Sequence, residues 1–244
     1  MKTVLITGAN RSIGFETARQ MAKLGYFVYM GCRDLKKGQE AAKQLNNEGL
    51  VNVEPLVIDI SDAASVASAR QELGKKITQL DVLINNAGIS GGFPQPAATS
   101  LDTFRKVFDT NFFGTINVTQ TFMDLLKKSD APRIVNVTSG LASLTLHSDP
   151  SSGIYHFKSA AYGPSKTALN AYTVVLAFEL KNTPFKVNAV DPGYTDTDFN
   201  NHQGPKDVPT AARDIVQYAV LDETGPTGRF ISYDNNPETS ESPW

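Results

Sequence analysis

Short β-branched runs alternate with longer segments of helical period along this chain, and that alternation limits the fold more than any other feature. Strands are expected over residues 3–6, 27–30, 53–58, 81–84, 134–137, 186–190 and 230–231. A helix over 13–24 places Ile13, Ala18, Met21 and Leu24 on one face, and Asp34 reads as the N-cap of a helix running to Leu45. Ser61 or Asp62 can cap the next helix. Single helices are expected over 104–126, 162–180 and 209–221, with a loop at Gly91-Gly92-Phe93-Pro94. Strands separated by helices pair in parallel through right-handed crossovers, which gives an α/β fold with a doubly wound sheet of about seven strands and helices on both faces. At 244 residues the chain suits one large domain over 1–244, since domains run to roughly 100–200 residues, and it can bury its core without disulfides or metal.

Composition narrows the classes further. The single cysteine, Cys32, excludes a disulfide framework and a Cys-rich zinc site. A net charge of −2 without a Lys/Arg run argues against a nucleic-acid or polybasic membrane surface. No apolar run approaches the roughly 20 residues that span a bilayer. The strand-like Val4-Leu5-Ile6 leaves no room for a signal peptide, so a cytoplasmic protein is expected. His147, His156 and His202 lie in loop-like stretches without ligand spacing, and no metal site is expected. Two stretches break the alternation, 141–161 and 194–209. Both follow strands, so both should border a site at the carboxyl ends of the sheet. The polar tail from Asn235 is expected to be only loosely tied down.

Directly after the first strand stands Thr7-Gly8-Ala9-Asn10-Arg11-Ser12-Ile13-Gly14, leading into a helix. Glycines let the backbone approach a pyrophosphate, and the helix start supplies free N–H groups and partial positive charge. This is a variant of the dinucleotide fingerprint and points to a Rossmann-type sheet. NAD-selective sites commonly carry an acid at the tip of the second strand, whereas NADP-selective ones carry arginine. Here that strand ends in Gly31-Cys32-Arg33, and Arg11 sits in the turn. Two guanidiniums suit a 2′-phosphate, which favours NADP(H).

Tyr162 and Lys166 stand one helical turn apart, a spacing that is weak by itself. Thr138-Ser139 at a strand end and Asn111 in the long helix give it company. Together these residues resemble the short-chain dehydrogenase/reductase family over nearly the whole chain. The matching motifs stand in family order: Thr7-Gly8…Gly14, Asp59, Asn85-Asn86-Ala87-Gly88, Asn111, Ser139, Tyr162…Lys166 and Pro192-Gly193…Thr197. Within the family the chain looks most like the carbonyl reductases, through Cys32-Arg33-Asp34, the run Thr110-Asn111-Phe112-Phe113-Gly114-Thr115, and Gly225 to Phe230 with Trp244.

The resemblance implies that Tyr162 is the general acid in reduction, or the base in the reverse direction. Lys166 binds the nicotinamide ribose and lowers the tyrosine pKa, Ser139 orients the substrate carbonyl, and Asn111 holds a water linking Lys166 to solvent. Asp59 meets the adenine, Asn86 and Gly88 line the cofactor groove, and Thr197 contacts the carboxamide. The expected cofactor contacts thus comprise Gly8, Asn10, Arg11, Ser12, Ile13, Gly14, Arg33, Asp59, Ile60, Asn86, Ala87, Gly88, Tyr162, Lys166, Pro192, Gly193, Thr195 and Thr197. Ser139, Leu141, Tyr155 and Tyr194 are the candidate substrate-pocket residues. Physical chemistry agrees: a phenol with a pKa near 10 needs a cation about 5 Å away, worth about 3 kcal/mol at an effective dielectric near 20, to become useful near neutrality.

Two departures stand out. By the same resemblance, Ser12 replaces a glycine usual in the family, and the Ser139–Tyr162 interval exceeds the family's habit by about ten residues. The added chain is expected to overhang the pocket, and the choice between monomer and homo-oligomer stays open. The sequence therefore reads as an NADPH-dependent carbonyl reductase acting on a small-molecule substrate, a ketone or aldehyde. The alternatives are reduction of an activated C=C bond, alcohol oxidation, or a dinucleotide sensor without catalysis.

Overall fold

In the computed structural model, which describes residues 1–92 and 94–244, seven strands form one parallel sheet in the order β3-β2-β1-β4-β5-β6-β7. The strands are β1 (Thr3–Thr7), β2 (Phe27–Cys32), β3 (Val53–Val57), β4 (Val82–Asn85), β5 (Arg133–Val137), β6 (Lys186–Val190) and β7 (Phe230–Ile231). The expected doubly wound topology is the one observed. Phe93, in the expected glycine loop, lies outside the described residues; Gly91 and Gly92 beside it both take positive φ, as that loop requires.

Side-chain alternation along the strands explains why both faces are covered. Val4, Ile6, Val28, Met30, Val82 and Ile84 face one apolar layer, completed by α1 (Ser12–Lys23), α2 (Leu35–Asn47) and α8 (Val208–Ala219). Leu5, Leu83, Ile134 and Val187 face the other, completed by α3 (Ala63–Gly74), α5 (Thr115–Leu126) and α7 (Tyr162–Glu179). A strand buried on both faces reads as a continuous apolar run, which is the pattern of β1 and β4. Asp34 caps α2 by accepting from the Lys36 and Lys37 amides, and of the two candidates for α3 it is Asp62 that caps, accepting from Ala64.

Several expectations need correction. Ala18 and Met21 are buried in α1, but Leu24 ends the helix and is mostly exposed. The single helix expected over 104–126 is three pieces: α4 (Leu101–Phe108), a π-helical stretch Asp109–Gly114, and α5. Gly114 presses there so closely on the Ile60 carbonyl that an added Cβ would lie 2.7 Å from its oxygen. The extra residue of the bulge turns Asn111 fully inward, and such bulges recur at functional positions. The stretch 141–161 is not wholly irregular, since it holds a 3₁₀ turn at Gly140–Ala142 and a one-turn helix α6 (Leu144–Ser148).

The tail is not loose. The Ser232 amide donates to the Ser240 carbonyl (2.8 Å) and the Ser242 amide to that of Phe230 (2.9 Å). Trp244 stacks on Phe230 at 5.6 Å, and its carbonyl accepts from the amide (3.1 Å) and hydroxyl (2.8 Å) of Thr145 in α6. Polarity misled here because backbone bonds and one aromatic pair, not apolar content, anchor the segment.

Candidate active site

The order of strands reverses between β1 and β4, and the crevice at that switch point is where an open α/β sheet receives a ligand. Thr7 closes it from below. Its hydroxyl accepts from the amides of Asn86 and Ala87, both at 3.0 Å. Asn86 returns two bonds, donating to the carbonyls of Thr7 (2.9 Å) and Gly8 (3.2 Å), so its side chain locks the glycine turn to the end of β4. Gly14, in the first turn of α1, lies so near the glycine turn that a Cβ would sit 2.3 Å from the Gly8 oxygen. Gly8 has φ +67°, and Ser12 adopts φ +49°, a left-handed conformation in which the family's glycine is strain-free.

The other expected nucleotide contacts line the same edge. Arg33 is exposed at the tip of β2, and its neighbour Asp34 is already spent on the helix cap. Arg11 is exposed too, and reaches across to Asp198 at 3.5 Å. Asp59 and Ile60 follow β3, where the Asp59 carboxylate accepts from the amide (3.0 Å) and hydroxyl (2.7 Å) of Ser61. Gly88 follows β4, with its Cα bare toward Asn111 and Lys166. After β6 come Pro192, Gly193 (φ +80°), and the buried Thr195 and Thr197. The cradle of bare glycine backbone, with Arg33 exposed beside it and Arg11 shared with Asp198, fits a dinucleotide.

The chemical residues meet at the ends of β5 and α7. Ser139 is the first residue past Thr138 at the end of β5, and its hydroxyl accepts from the Leu141 amide at 3.2 Å. The Tyr162 phenol lies beside the Ser139 hydroxyl. Lys166 is buried on the same face of α7, with Nζ 5.8 Å from the Tyr162 ring centre, and donates to the Val137 carbonyl at 2.7 Å. Burial lowers Lys166 to about 8, and the negative charge of Asp191 holds it from falling further. Tyr162 is pushed well above the ordinary phenol value, first by burial and then by Asp191, with Ser139 pulling the other way. Burial sets that direction, and the Lys166 ammonium is turned toward the Val137 carbonyl.

Asn111 is held from three sides. Its Oδ1 accepts from the Ile89 amide (2.8 Å), while Nδ2 donates to the Ile89 carbonyl (2.9 Å) and to the Ser165 hydroxyl (3.0 Å). Ser165 in turn donates to the Tyr162 carbonyl at 2.7 Å. Asn111 is thus coupled to the start of α7 through a residue that sequence reasoning passed over, although Ser165 stands immediately before Lys166.

The pocket-wall expectations fare unevenly. Leu141 stands beside Ser139, and its carbonyl meets His147 Nε2 at 2.9 Å. Tyr194 is 48% exposed on the rim. Tyr155 lies against His156 (5.1 Å) and under the Lys158 ammonium (4.5 Å). The aromatic ring that meets Tyr162 belongs to Phe199, at 5.3 Å, on a 3₁₀ turn Asp198–Asn200. A lone phenylalanine among Asp196, Asp198, Asn200 and Asn201 was the signal that could have found it.

A dinucleotide-type sheet with hydroxyl, phenol and amine gathered at its strand ends defines an oxidoreductase class. The comparisons are specific about which: residues 2–207 match the family model described as short chain dehydrogenase, and the chain belongs to that oxidoreductase family, whose members use a nicotinamide dinucleotide. It is 38% identical to a short-chain dehydrogenase of Penicillium roqueforti (strain FM164), over 89% of this chain and 88% of the relative. It is 33% identical to the (-)-isopiperitenone reductase of Mentha piperita, over 94% and 96%. Among solved structures it resembles the NADPH-bound carbonyl reductase from chicken fatty liver, with TM-score 0.86 and 25% identity over 100% of this chain and 99% of that one. Among the described residues no helix is long and apolar enough to cross a membrane.

Proposed function

We propose that this chain is an NADPH-dependent carbonyl reductase, with residues 1–244 acting as one dinucleotide-binding and catalytic domain on a small ketone or aldehyde. The observation that carries the reading is the meeting of Ser139, Tyr162 and Lys166 at the ends of β5 and α7, with Lys166 Nζ 5.8 Å from the Tyr162 ring centre. A protonated phenol is a donor, which is the form that reduction needs.

The dinucleotide would lie on Gly8, Asn10, Ser12, Ile13 and Gly14, with Asp59 and Ile60 at its adenine end and Asn86 to Gly88 beneath. Pro192, Gly193, Thr195 and Thr197 would close its nicotinamide end. Arg11 and Arg33 would take a 2′-phosphate; both are exposed, and no free acid stands at the tip of β2 to favour an unphosphorylated ribose. When bound, the reduced nicotinamide supplies hydride. Ser139 orients the carbonyl and Tyr162 gives its proton to the carbonyl oxygen, so two donors meet the charge that develops there. Lys166 fixes the ribose and returns positive charge to the phenol, while Asn111, pinned by Ile89 and Ser165, holds the water path behind it.

Support comes from the reductases among the relatives and from the carbonyl reductase fold match. The purified chain should oxidise NADPH, followed at 340 nm, when given an activated ketone, and yield the alcohol. With an enone, product analysis separates C=O from C=C reduction. Nucleotide binding without turnover across a broad carbonyl panel overturns the proposal.

A further inference from the structure

His147 has no part in the chemistry above, yet two hydrogen bonds through one residue join its ring to Ser139. That residue is Leu141. Its amide donates to Ser139 Oγ at 3.2 Å, and its carbonyl meets Nε2 of His147, half-buried in α6, at 2.9 Å. The other ring nitrogen, Nδ1, lies 3.1 Å from the Lys158 ammonium, which also donates to the His147 carbonyl at 2.8 Å. An ammonium carries donors only, so Nδ1 accepts and the ring is the neutral tautomer with its proton on Nε2. That proton is given to the Leu141 carbonyl. Lys158 lies over the Tyr155 ring at 4.5 Å, and the Thr145 hydroxyl ties α6 to the Trp244 carbonyl at 2.8 Å. Both ends of the segment between Ser139 and Tyr162 thus bear on one imidazole.

We propose that His147 is a positioning residue for Ser139: by holding the Leu141 carbonyl it fixes the turn that keeps the Leu141 amide on the serine oxygen and leaves the serine hydrogen for the substrate carbonyl. The proposal rests on the reading of Ser139 as a donor to that carbonyl. A hydroxyl has one hydrogen and two lone pairs, so an amide on one lone pair turns the hydrogen elsewhere. The turn, Gly140–Ala142, is a single 3₁₀ turn, and the last carbonyls of a helical stretch need partners from outside it. Thr167 of α7 donates to the Ala142 carbonyl at 2.9 Å, and His147 serves the Leu141 carbonyl in the same way. Among the described residues, Lys158 is the charged group that faces this ring. Burial lowers the His147 pKa, the Leu141 carbonyl opposes that, and Lys158 adds to it. Protonation would set a second N–H against the Lys158 ammonium. The link therefore holds at neutral pH and opens only as the pH falls below the ordinary histidine range.

His147→Leu removes the donor, whereas His147→Gln returns an N–H to the place of Nε2 on a side chain that does not titrate. With an activated ketone, kcat should fall about tenfold in His147→Leu, less than the roughly 10²–10³ that loss of a whole oxyanion donor costs. His147→Gln should recover most of that rate, and NADPH affinity should hold in both. The parent should lose rate on the acid side of the ordinary histidine range, a limb that His147→Gln should lack and that a phenol donor does not produce. Lys158→Met takes away the neighbouring charge and should move that limb to higher pH; it carries the test if His147→Leu fails to fold. Hydrogen exchange at the Leu141 amide, read by NMR, follows the link without calling on activity. It should quicken about tenfold in His147→Leu and little in His147→Gln. A folded His147→Leu with unmoved kcat, a His147→Gln as impaired as His147→Leu, or an unmoved acid limb in Lys158→Met overturns the inference. If the Leu141 amide responds as expected but the parent reduces no carbonyl, the link stands and the carbonyl-reductase reading falls.

Discussion

On the β1–β4 side of the crevice the glycine turn is held by backbone and by two short side chains, Thr7 and Asn86, that reach directly from strand end to strand end. On the β5–β7 side the walls belong to segments 141–161 and 194–209, whose anchors lie far away in sequence. Trp244 ties α6, Asp234 accepts from the Tyr194 amide at 3.0 Å, and Phe199 arrives against Tyr162 from a turn of its own. The first side is an apparatus of fixed backbone, suited to a ligand that never changes. The second is assembled from variable chain on a constant sheet, which is how one fold admits many substrates. Mutations on the two sides should therefore separate nucleotide binding from carbonyl chemistry.

The sharpest separation is expected at Tyr162, where the two sides meet. Tyr162→Phe keeps the ring and its contact with Phe199 but removes the donor, so the turnover number with an activated ketone should fall about 10³-fold, within the span usual for general acid catalysis. NADPH affinity, read by fluorescence titration, should stay within about twofold. Full activity in this variant would sink the proton-donor assignment. Gly14→Ala attacks the other side. Its Cβ meets the Gly8 oxygen at 2.3 Å, and the Asn86 side-chain nitrogen at 2.5 Å, itself bonded to the turn, leaves it little room to escape. A loss of about 3 kcal/mol, or roughly 10 °C in melting temperature, is expected together with weakened NADPH binding. A fully stable Gly14→Ala would show that the turn is softer than its latches imply.

The same contrast explains what could be read from the sequence. Strand and helix alternation is a periodic signal, and it is clearest at β1, β2 and β4, whose runs are apolar toward both faces. Asp34 and Asp62 announce their caps by type and place. The π-helical stretch at Asp109–Gly114 left no periodic trace, since one inserted residue in a helix depends on Gly114 meeting Ile60 from another element. The tail from Asn235 was misjudged for a related reason: its order comes from pairing with β7 and from Trp244 on Phe230, contacts that no local window contains. In the site, Ser139, Tyr162 and Lys166 were visible as motifs. Ser165 and Phe199 were not, because each matters through a neighbour that only the folded chain supplies.

Two smaller effects test each side separately. Arg33→Asp replaces the exposed cation at the tip of β2 with an anion. The Michaelis constant for NADPH should rise at least about tenfold, as expected for loss of a charged hydrogen bond plus repulsion, while that for NADH changes little. Equal changes for both nucleotides would remove Arg33 from the phosphate site. Phe199→Ala takes away the ring that covers Tyr162. An aromatic pair is worth about 0.5–1.5 kcal/mol, so roughly three- to tenfold changes in kcat/KM are expected, differing between bulky and small ketones. NADPH affinity should not move. A uniform change across ketones of every size would make Phe199 a packing residue and not part of the pocket.

The smallest expected effect lies in the nucleotide turn, at the one place where the rigid side departs from its family. Ser12 sits at φ +49°, where a side chain costs about 1–2 kcal/mol relative to right-handed backbone. Replacing it with glycine removes that strain but adds backbone freedom to the unfolded chain, worth roughly 0.5–1 kcal/mol against the substitution. The difference favours Ser12→Gly by about 0.5 kcal/mol, or roughly 1–2 °C in melting temperature for a chain of this length. NADPH affinity should hold within about twofold, because the cradle is built from backbone N–H groups that both residues supply. A several-fold loss of affinity alongside the gain in stability would instead mean that the Ser12 hydroxyl itself donates to a phosphate, and that the strained backbone is retained for binding.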